Sequence, residues 1–249
     1  MNHTSKELKR RARESLTGHY RLAMTAFVTA YLLIFLLNVP FRPSLQEPAN
    51  KFQITISFLA SCIIWLLSVV LNSGVLYIHL QFSRKKDAKP ADVFRFFSRR
   101  PDRFLQSTLF IVLLIFMAAS PAMICSAFAL WMETPLTWIL MAVSWIFVII
   151  LTGIFILMFH PLYFLLIDRP DDSVTDILRK CCALMNGHKA EKLYINLSFL
   201  GLLLLSLLSL GIGLLWVIPY INQTNTEFYL SILKEDPSEI PLRSEEAWS

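Results

Sequence analysis

The sequence predicts an all-α fold: a polytopic helical membrane bundle of six transmembrane helices, with five as the alternative count. Three observations predict it. Of the 249 residues, 55% are hydrophobic and only 16% are charged, whereas an ordinary soluble domain carries about a quarter charged residues. The charges are segregated: residues 22–41, 52–83, 104–132, 134–167 and 193–226 contain no Asp, Glu, Lys or Arg. Each run is also long enough, since about 20 apolar helical residues cross a hydrocarbon core of roughly 30 Å. A single integral membrane domain is therefore expected over residues 1–234. The acidic, proline-containing stretch 235–249 is expected to be a disordered cytoplasmic tail.

The first run follows basic residues but exceeds the length of a signal-peptide core, and NVPFRPS offers no small-x-small cleavage site. It is expected to be an uncleaved first span. Orientation follows from Lys and Arg. Six precede the first run (Lys6, Lys9, Arg10, Arg11, Arg13, Arg21) and two lie in the next loop (Arg42, Lys51). Eight fall between Arg84 and Arg103, none at the Glu133 turn, and five between Asp168 and Lys192. This rich-poor-rich-poor-rich alternation puts the N-terminus in the cytoplasm of a multi-pass cell-membrane protein. It also explains the net charge of +5 without invoking nucleic acid.

The fifth run is 34 residues long, a helix of about 50 Å, too long for one comfortable crossing. Gly211, Ile212 and Gly213 offer a cheap break within it. Residues 214–233 can then return as a sixth span. Pro219 and the polar set Asn222, Gln223, Thr224, Asn225, Thr226 and Glu227 suit a helix packed inside the bundle better than one facing lipid. The alternative is five spans with the tail outside.

Two basic segments resemble each other. LKRRARESLTGHY (8–20) aligns with ILRKCCALMNGHK (177–189), each ending in Gly-His before an apolar run. Thr4-x-x-Glu7 and Ser173-x-x-Asp176 are helix-start signals, and Gly18 and Gly187 fall where a helix ends. Leu8, Ala12 and Leu16 share one face, as do Ile177, Leu178, Leu184 and Met185. These segments are expected to be interfacial elbows, apolar face in the acyl boundary and basic face toward anionic headgroups. A looser third copy, PADVFRFFSRRPDRF (90–104), places Val93, Phe94 and Phe97 on its apolar side. Three hairpin units, 5–82, 90–167 and 173–233, would then build the molecule.

The C-terminal third carries a specific pattern: Gly187-His188-Lys189, Leu197-Ser198-Phe199, LGIGLLWV at 210–217, Pro219-Tyr220, Thr224 and Phe228-Tyr229. With the opening SKELKRRARESLTGHY, it resembles a Firmicute family of multi-pass membrane proteins known as domain-of-unknown-function family 975. That family is distantly similar to the membrane domain of some glycerophosphodiester phosphodiesterases. Leu202 stands where the family commonly has Trp, and Glu227 where a small residue is usual. The resemblance implies a plasma-membrane protein of several helices and implies no reaction.

No catalytic, cofactor-binding or metal-ligating set is expected. His188 with Cys181 and Cys182, and His19 on the same side, fits no zinc spacing, because vicinal cysteines do not readily share one tetrahedral site. The four cysteines (Cys62, Cys125, Cys181, Cys182) form no C-x-x-C pair. Phosphate-binding, hydrolase and metalloprotease motifs are missing from the sequence. The candidate polar or lipid-contacting residues are His19, His79, His160, His188, Lys189, Glu227, Arg10 and Arg11. His79 and His160 are expected near cytoplasmic span ends, bonded to water or carbonyls, with His160 serving groups freed by Pro161. Glu227 is expected to pair with a cytoplasmic Lys or Arg. Ala118, Ala122 and Ser126 suit helix packing, and Trp131, Trp138 and Trp216 an outer aromatic belt. The expected partners are the bilayer, anionic headgroups of the inner leaflet, and a membrane-protein partner or second copy.

These features support three functional readings. The first is a non-enzymatic membrane protein that organises lipid or a partner through its basic elbows. The second is a permease whose cavity is lined by Asn72, His79, His160 and residues 222–227. The third, ranked last, is an enzyme acting on lipid headgroups. Substrate, trigger and oligomeric state are not legible in the sequence.

Overall fold

A backbone flanked by long apolar side chains has few outside partners for its N–H and C=O groups, so it satisfies them within helices. The computed structural model describes residues 5–41 and 50–235. Among them the regular structure is helical, with no strand. In order the helices are α1 (Ser5–Leu16), α2 (Tyr20–Asn38), α3 (Lys51–Ser83), α4 (Pro101–Met132), α5 (Pro135–Met158), α6 (Leu162–Asp168), α7 (Val174–Leu184), α8 (Lys189–Leu197), α9 (Leu200–Leu208) and α10 (Leu214–Glu235). Thr4, Arg42 and the tail from residue 236 lie outside the described residues.

Five helical stretches among these are long and apolar enough to cross a membrane: Tyr20–Phe41, Lys51–Ser83, Pro101–Met132, Pro135–Asp168 and Lys189–Leu208. Their outer faces present large apolar side chains such as Leu109, Phe116, Ile149 and Leu208 to the surroundings. That arrangement suits a hydrocarbon solvent and would be costly in water. The starts follow local chemistry. Asn50 and Gln53 form a reciprocal capping box on α3. Ser173 Oγ accepts from the Asp176 N–H at the start of α7. Pro101 and Pro135 occupy first turns, where a missing N–H costs nothing. Gly18 and Gly187, at φ of 84° and 86°, end the first and seventh helices as their left-handed geometry requires.

The basic segments differ from the expected elbows. Leu8, Ala12 and Leu16 are fully buried, because α1 packs lengthways along α10. The Lys9 carbonyl accepts from Tyr220 Oη at 3.4 Å, and seven residues further along α10 Glu227 meets Ser15. The apolar stripe is thus covered by protein instead of acyl chains. In the second copy Ile177 and Met185 are also fully buried, in the core shared with α6. The third copy is no α-helix. Residues Pro90–Phe97 form a 3-10 turn whose threefold period buries Val93 and Phe96 and leaves Phe94 and Phe97 exposed. It ends at Ser98, and beyond it Arg100, just before Pro101, takes a left-handed φ of 51°.

Two apolar cores result. Ala23, Ala26 and Ala30 of α2 let it lie close against Leu71, Val75 and Ile78 of α3. The larger core joins Leu8, Phe164, Leu165, Ile177, Phe199, Phe228 and Tyr229. On α4, Ser126 Oγ donates to the Ala122 carbonyl and accepts from Trp145 Nε1 of α5 at 2.9 Å, so that small-residue stripe serves packing. The chain reverses after α9 through Leu210 and Gly211, both at positive φ. A Cβ on Gly213 would lie 2.9 Å from Ser206 Cα, which shows how closely the return begins. Trp131, Trp138 and Trp216 are exposed near the Glu133 and Gly211 turns.

The 3-10 turn crosses α3 at Gly74, where an added Cβ would sit 2.1 Å from the Val93 carbonyl oxygen. Gly74→Ala is expected to destabilise the fold by about 1–3 kcal/mol, the usual cost of overpacking. The readout is a lower thermal unfolding temperature in detergent. Gly201→Ala, whose Cβ meets nothing within 4 Å, is the matched control and should leave that temperature unchanged or slightly raised.

Candidate functional site: a polar seam on the last helix

Buried polar side chains need internal partners, since leaving one unpaired in an apolar interior costs free energy. The tenth to sixteenth residues of α10, Gln223 to Tyr229, force this problem on the helix. They solve it by pairing with α1, α3, α6 and α8. Gln223, fully buried, donates its amide nitrogen to Ser83 Oγ at 2.6 Å and to the His79 carbonyl at 3.3 Å. Its amide oxygen therefore faces His79 Nδ1 at 2.8 Å, and that nitrogen carries the proton. His79 Nε2 is buried with no partner among the described residues.

From Gln223 the donors continue outward. Ser83 Oγ donates to Glu227 Oε1 at 2.7 Å, and Ser15 Oγ donates to the same oxygen at 2.8 Å. With two hydroxyls on one carboxylate oxygen, Oε2 is left to accept from another donor. Glu227 thus differs from the expected ion pair: no Lys or Arg among the described residues lies within 4.0 Å of it, and hydroxyls hold it instead. Basic side chains stand one layer further out. Arg11, Lys85, Lys86 and Lys234, with Glu14, Ser15, His19, Ser83, Asp87 and Glu227, line a cavity of about 580 Å³.

A second cluster sits beside the first. Asp168, almost fully buried, accepts two hydrogen bonds from Arg84 Nη2, at 2.8 and 2.7 Å, and one from Tyr229 Oη at 2.8 Å. Tyr229 stacks on Phe164 with ring centroids 4.9 Å apart. Lys192, also buried, donates to Asn225 Oδ1 and stands 5.5 Å above the Phe228 ring. Arg103 reaches the carbonyls of Arg169, Pro170 and Asp172, and Arg100 donates to the Pro170 carbonyl at 2.9 Å. Arg95 stacks on Tyr77 at 4.6 Å. Half of the eight cations in the 84–103 segment therefore brace the protein itself.

The candidate residues scatter accordingly. His19, Arg11 and Glu227 share the cavity, and His79 joins its wall through Gln223 and Ser83. Asn72 donates to the Ser68 carbonyl of its own helix at 2.8 Å and is not part of it. His160 lies against Phe228 and Phe164, at 5.7 and 6.0 Å. The helix does break there, between Met158 and Leu162, but His160 Nδ1 is buried without a partner among the described residues. The imidazole therefore does not serve the freed groups through that nitrogen. His188 begins α8, with Nδ1 3.7 Å from Glu191 Oε2, and Lys189 is half-buried beside it. Arg10 is exposed and pairs with Glu14 at 3.5 Å, while Arg11 pairs with Glu7. Exposed pairs of this kind contribute little.

Among the groups outside the crossing helices, Lys9 and Cys181 have shifted acidity. Lys9 donates to the Ser198 carbonyl at 3.1 Å, with its ammonium 4.1 Å over the Phe199 ring. Burial first, and the Arg13 charge second, lower its pKa. Its cation caps the break between α8 and α9, where helix-end carbonyls lack partners. The Cys181 thiol is pushed well up, first by burial and then by neighbouring Cys182. Among the described residues no group of three His, Cys, Asp or Glu is placed to hold a metal ion.

Gln223 enters the sequence reading only as part of the 222–227 segment, and Ser15, Ser83, Asp168, Tyr229 and Lys192 are not among its candidates. The signal for Asp168 was available, as an acid at the edge of an apolar run. Ser15 and Ser83 gave none, since an isolated serine is ordinary anywhere. Comparison with known proteins gives one family: the description "Protein of unknown function (DUF975)" matches residues 1–236. No curated protein and no solved structure matches.

Tyr229→Phe removes one donor to Asp168 and is expected to cost about 1.5–3 kcal/mol, as for hydrogen bonds to charged groups, read by thermal unfolding in detergent. A water-soluble maleimide should modify exposed Cys182 in the native protein and spare Cys181 until unfolding. Raising the pH to about 9 should not unlock Cys181, because a raised pKa keeps it a thiol there. Mass spectrometry of the labelled protein reads both.

Proposed function

The chain belongs to that family of unknown function, and from this premise we propose a multi-pass cell-membrane protein with six crossings and a cytoplasmic N-terminus. It binds anionic phospholipid headgroups of the inner leaflet and organises lipid or a partner membrane protein, without catalysing a reaction. The observation that carries this reading is the charged cavity formed where α1, the end of α3 and the end of α10 converge. Its exposed cations, Lys85 and Lys234, stand at the end of the bundle where the sequence gathers its Lys and Arg. Headgroup phosphates are attracted to such surfaces.

Three contacts support the sixth crossing. Glu227 meets Ser15 and Ser83, and Tyr229 meets Asp168. Those partners lie just before the first apolar stretch and at the ends of the second and fourth, so α10 finishes on their side. At about 1.5 Å per residue its 22 residues reach roughly 33 Å, enough to return. The exposed apolar faces of α4 and α5 suit lipid, a partner helix or a second copy of this chain. The Firmicute origin and the likeness to the phosphodiesterase membrane domain, both implied by the sequence motifs, belong to this reading as well.

A permease is the second reading. It is favoured by the polar chain from buried His79 through Gln223 and Ser83 to the cavity. Flux of a polar solute into liposomes holding the purified protein would favour it over the first.

Single-cysteine variants in a cysteine-free background test the topology. Ile212→Cys should react with a membrane-impermeant maleimide on intact cells, and Ser238→Cys only after permeabilisation. Labelling of Ser238→Cys from outside would leave five crossings. Anionic lipid should be enriched among the lipids that co-purify with the protein relative to the source membrane, and its absence would remove the headgroup reading.

A further inference from the structure

The cavity at the junction of α1, α3 and α10 is built as a two-part site. Its floor is an acceptor. Glu227 Oε1 is saturated by Ser15 and Ser83, so a ligand donor meets the remaining oxygen. The floor is also fixed in place, because Ser83 is held by Gln223, and Gln223 by His79. The rim is net cationic: Arg11, Lys85, Lys86 and Lys234 outnumber Glu14 and Asp87 in its lining. Lys85 sits at a left-handed φ of 55°, just past the end of α3, which turns the chain at that lip.

A bare phosphate satisfies only half of this. It would be drawn to the lysines and repelled by the acceptor oxygen of Glu227. A simple amine would be drawn to Glu227 and repelled by the rim. A group that carries a phosphodiester at one end and an N–H or O–H donor at the other satisfies both. The volume of about 580 Å³ exceeds what one such headgroup fills and leaves room for water. The cavity also lies beside the ends of two apolar helices, the depth at which lipid phosphates sit.

We propose that this cavity binds a phosphodiester headgroup that bears a hydrogen-bond donor at its far end, with Glu227 reading the donor and Lys85 and Lys234 the phosphate. The assignment rests on the lipid-binding reading above but adds a discrimination that general charge attraction does not supply. Ethanolamine and glycerol headgroups carry donors. The trimethylated choline headgroup has the same phosphodiester and none.

The test uses the full chain in detergent, with equal concentrations of phosphatidylethanolamine, phosphatidylglycerol and phosphatidylcholine, and native mass spectrometry to count adducts. A charge-assisted hydrogen bond corresponds to about tenfold in retention, so the two donor lipids should exceed phosphatidylcholine by about that factor. Glu227→Gln keeps an acceptor for the two serines but turns an amide toward the cavity, and should erase the preference. Lys85→Asn, which tolerates the left-handed backbone, should weaken all three lipids alike and keep the preference. Competition by soluble glycerophosphoethanolamine would identify the site as open to free phosphodiesters. Its failure with the lipid preference intact would restrict the site to membrane headgroups. Equal retention of phosphatidylcholine by the wild type, or an unchanged preference in a folded Glu227→Gln, would overturn the assignment. Enrichment of anionic lipid in the purified protein would then still stand by itself.

Discussion

Polar side chains on α10 have no water to turn to along most of their length, and the arrangement around them follows from that constraint. Gln223, Thr224 and Thr226 are fully buried. The threonines return their hydroxyls to carbonyls one turn back, at Tyr220 and Asn222. Gln223, Asn225, Glu227 and Tyr229 are longer and reach other helices. Each therefore selects a neighbour: His79 and Ser83 on α3, Lys192 on α8, Ser15 on α1, Asp168 on α6. An apolar helix could slide or rotate against its neighbours at small cost, whereas this one is held in register by bonds of defined partner and direction.

The same constraint redistributes the positive charge. A basic loop in a membrane protein is usually read through the lipid surface it faces. Here Arg84 neutralises a buried aspartate, and Arg100 and Arg103 supply donors to a loop whose carbonyls have no helical partners. Arginine suits these places because its planar fork presents several donors in fixed directions and stays charged. The lysines of the same segment, Lys85, Lys86 and Lys89, are exposed. Arg84, Arg100 and Arg103 bond protein groups while these lysines stay exposed, which follows the chemistry of the two cations.

Much of the helical layout was legible in the sequence because charge-free length and Gly or Pro breaks are local signals. The start at Ser173, the ends at Gly18 and Gly187 and the reversal at Gly211 depend only on neighbouring residues. The docking of α1 did not show, because Leu8, Ala12 and Leu16 spell the same stripe whether lipid or α10 covers it. Residues 90–97 looked helical by the apolar pattern, but the close crossing at Gly74 leaves room only for a tighter turn. The cavity was half legible. Glu227 stands out as an acid in an apolar setting, but its serine partners lie 212 and 144 residues away. No spacing rule connects positions so distant.

Because α1 lies along α10, α1 is made well before the helix that covers it. Until then the greasy stripe of α1 has only lipid or a chaperone to cover it, and the Glu227 pocket lacks a wall. Closing such a distant loop is slow compared with forming a local hairpin. A chain interrupted before α10 would therefore leave the apolar stripe of α1 uncovered.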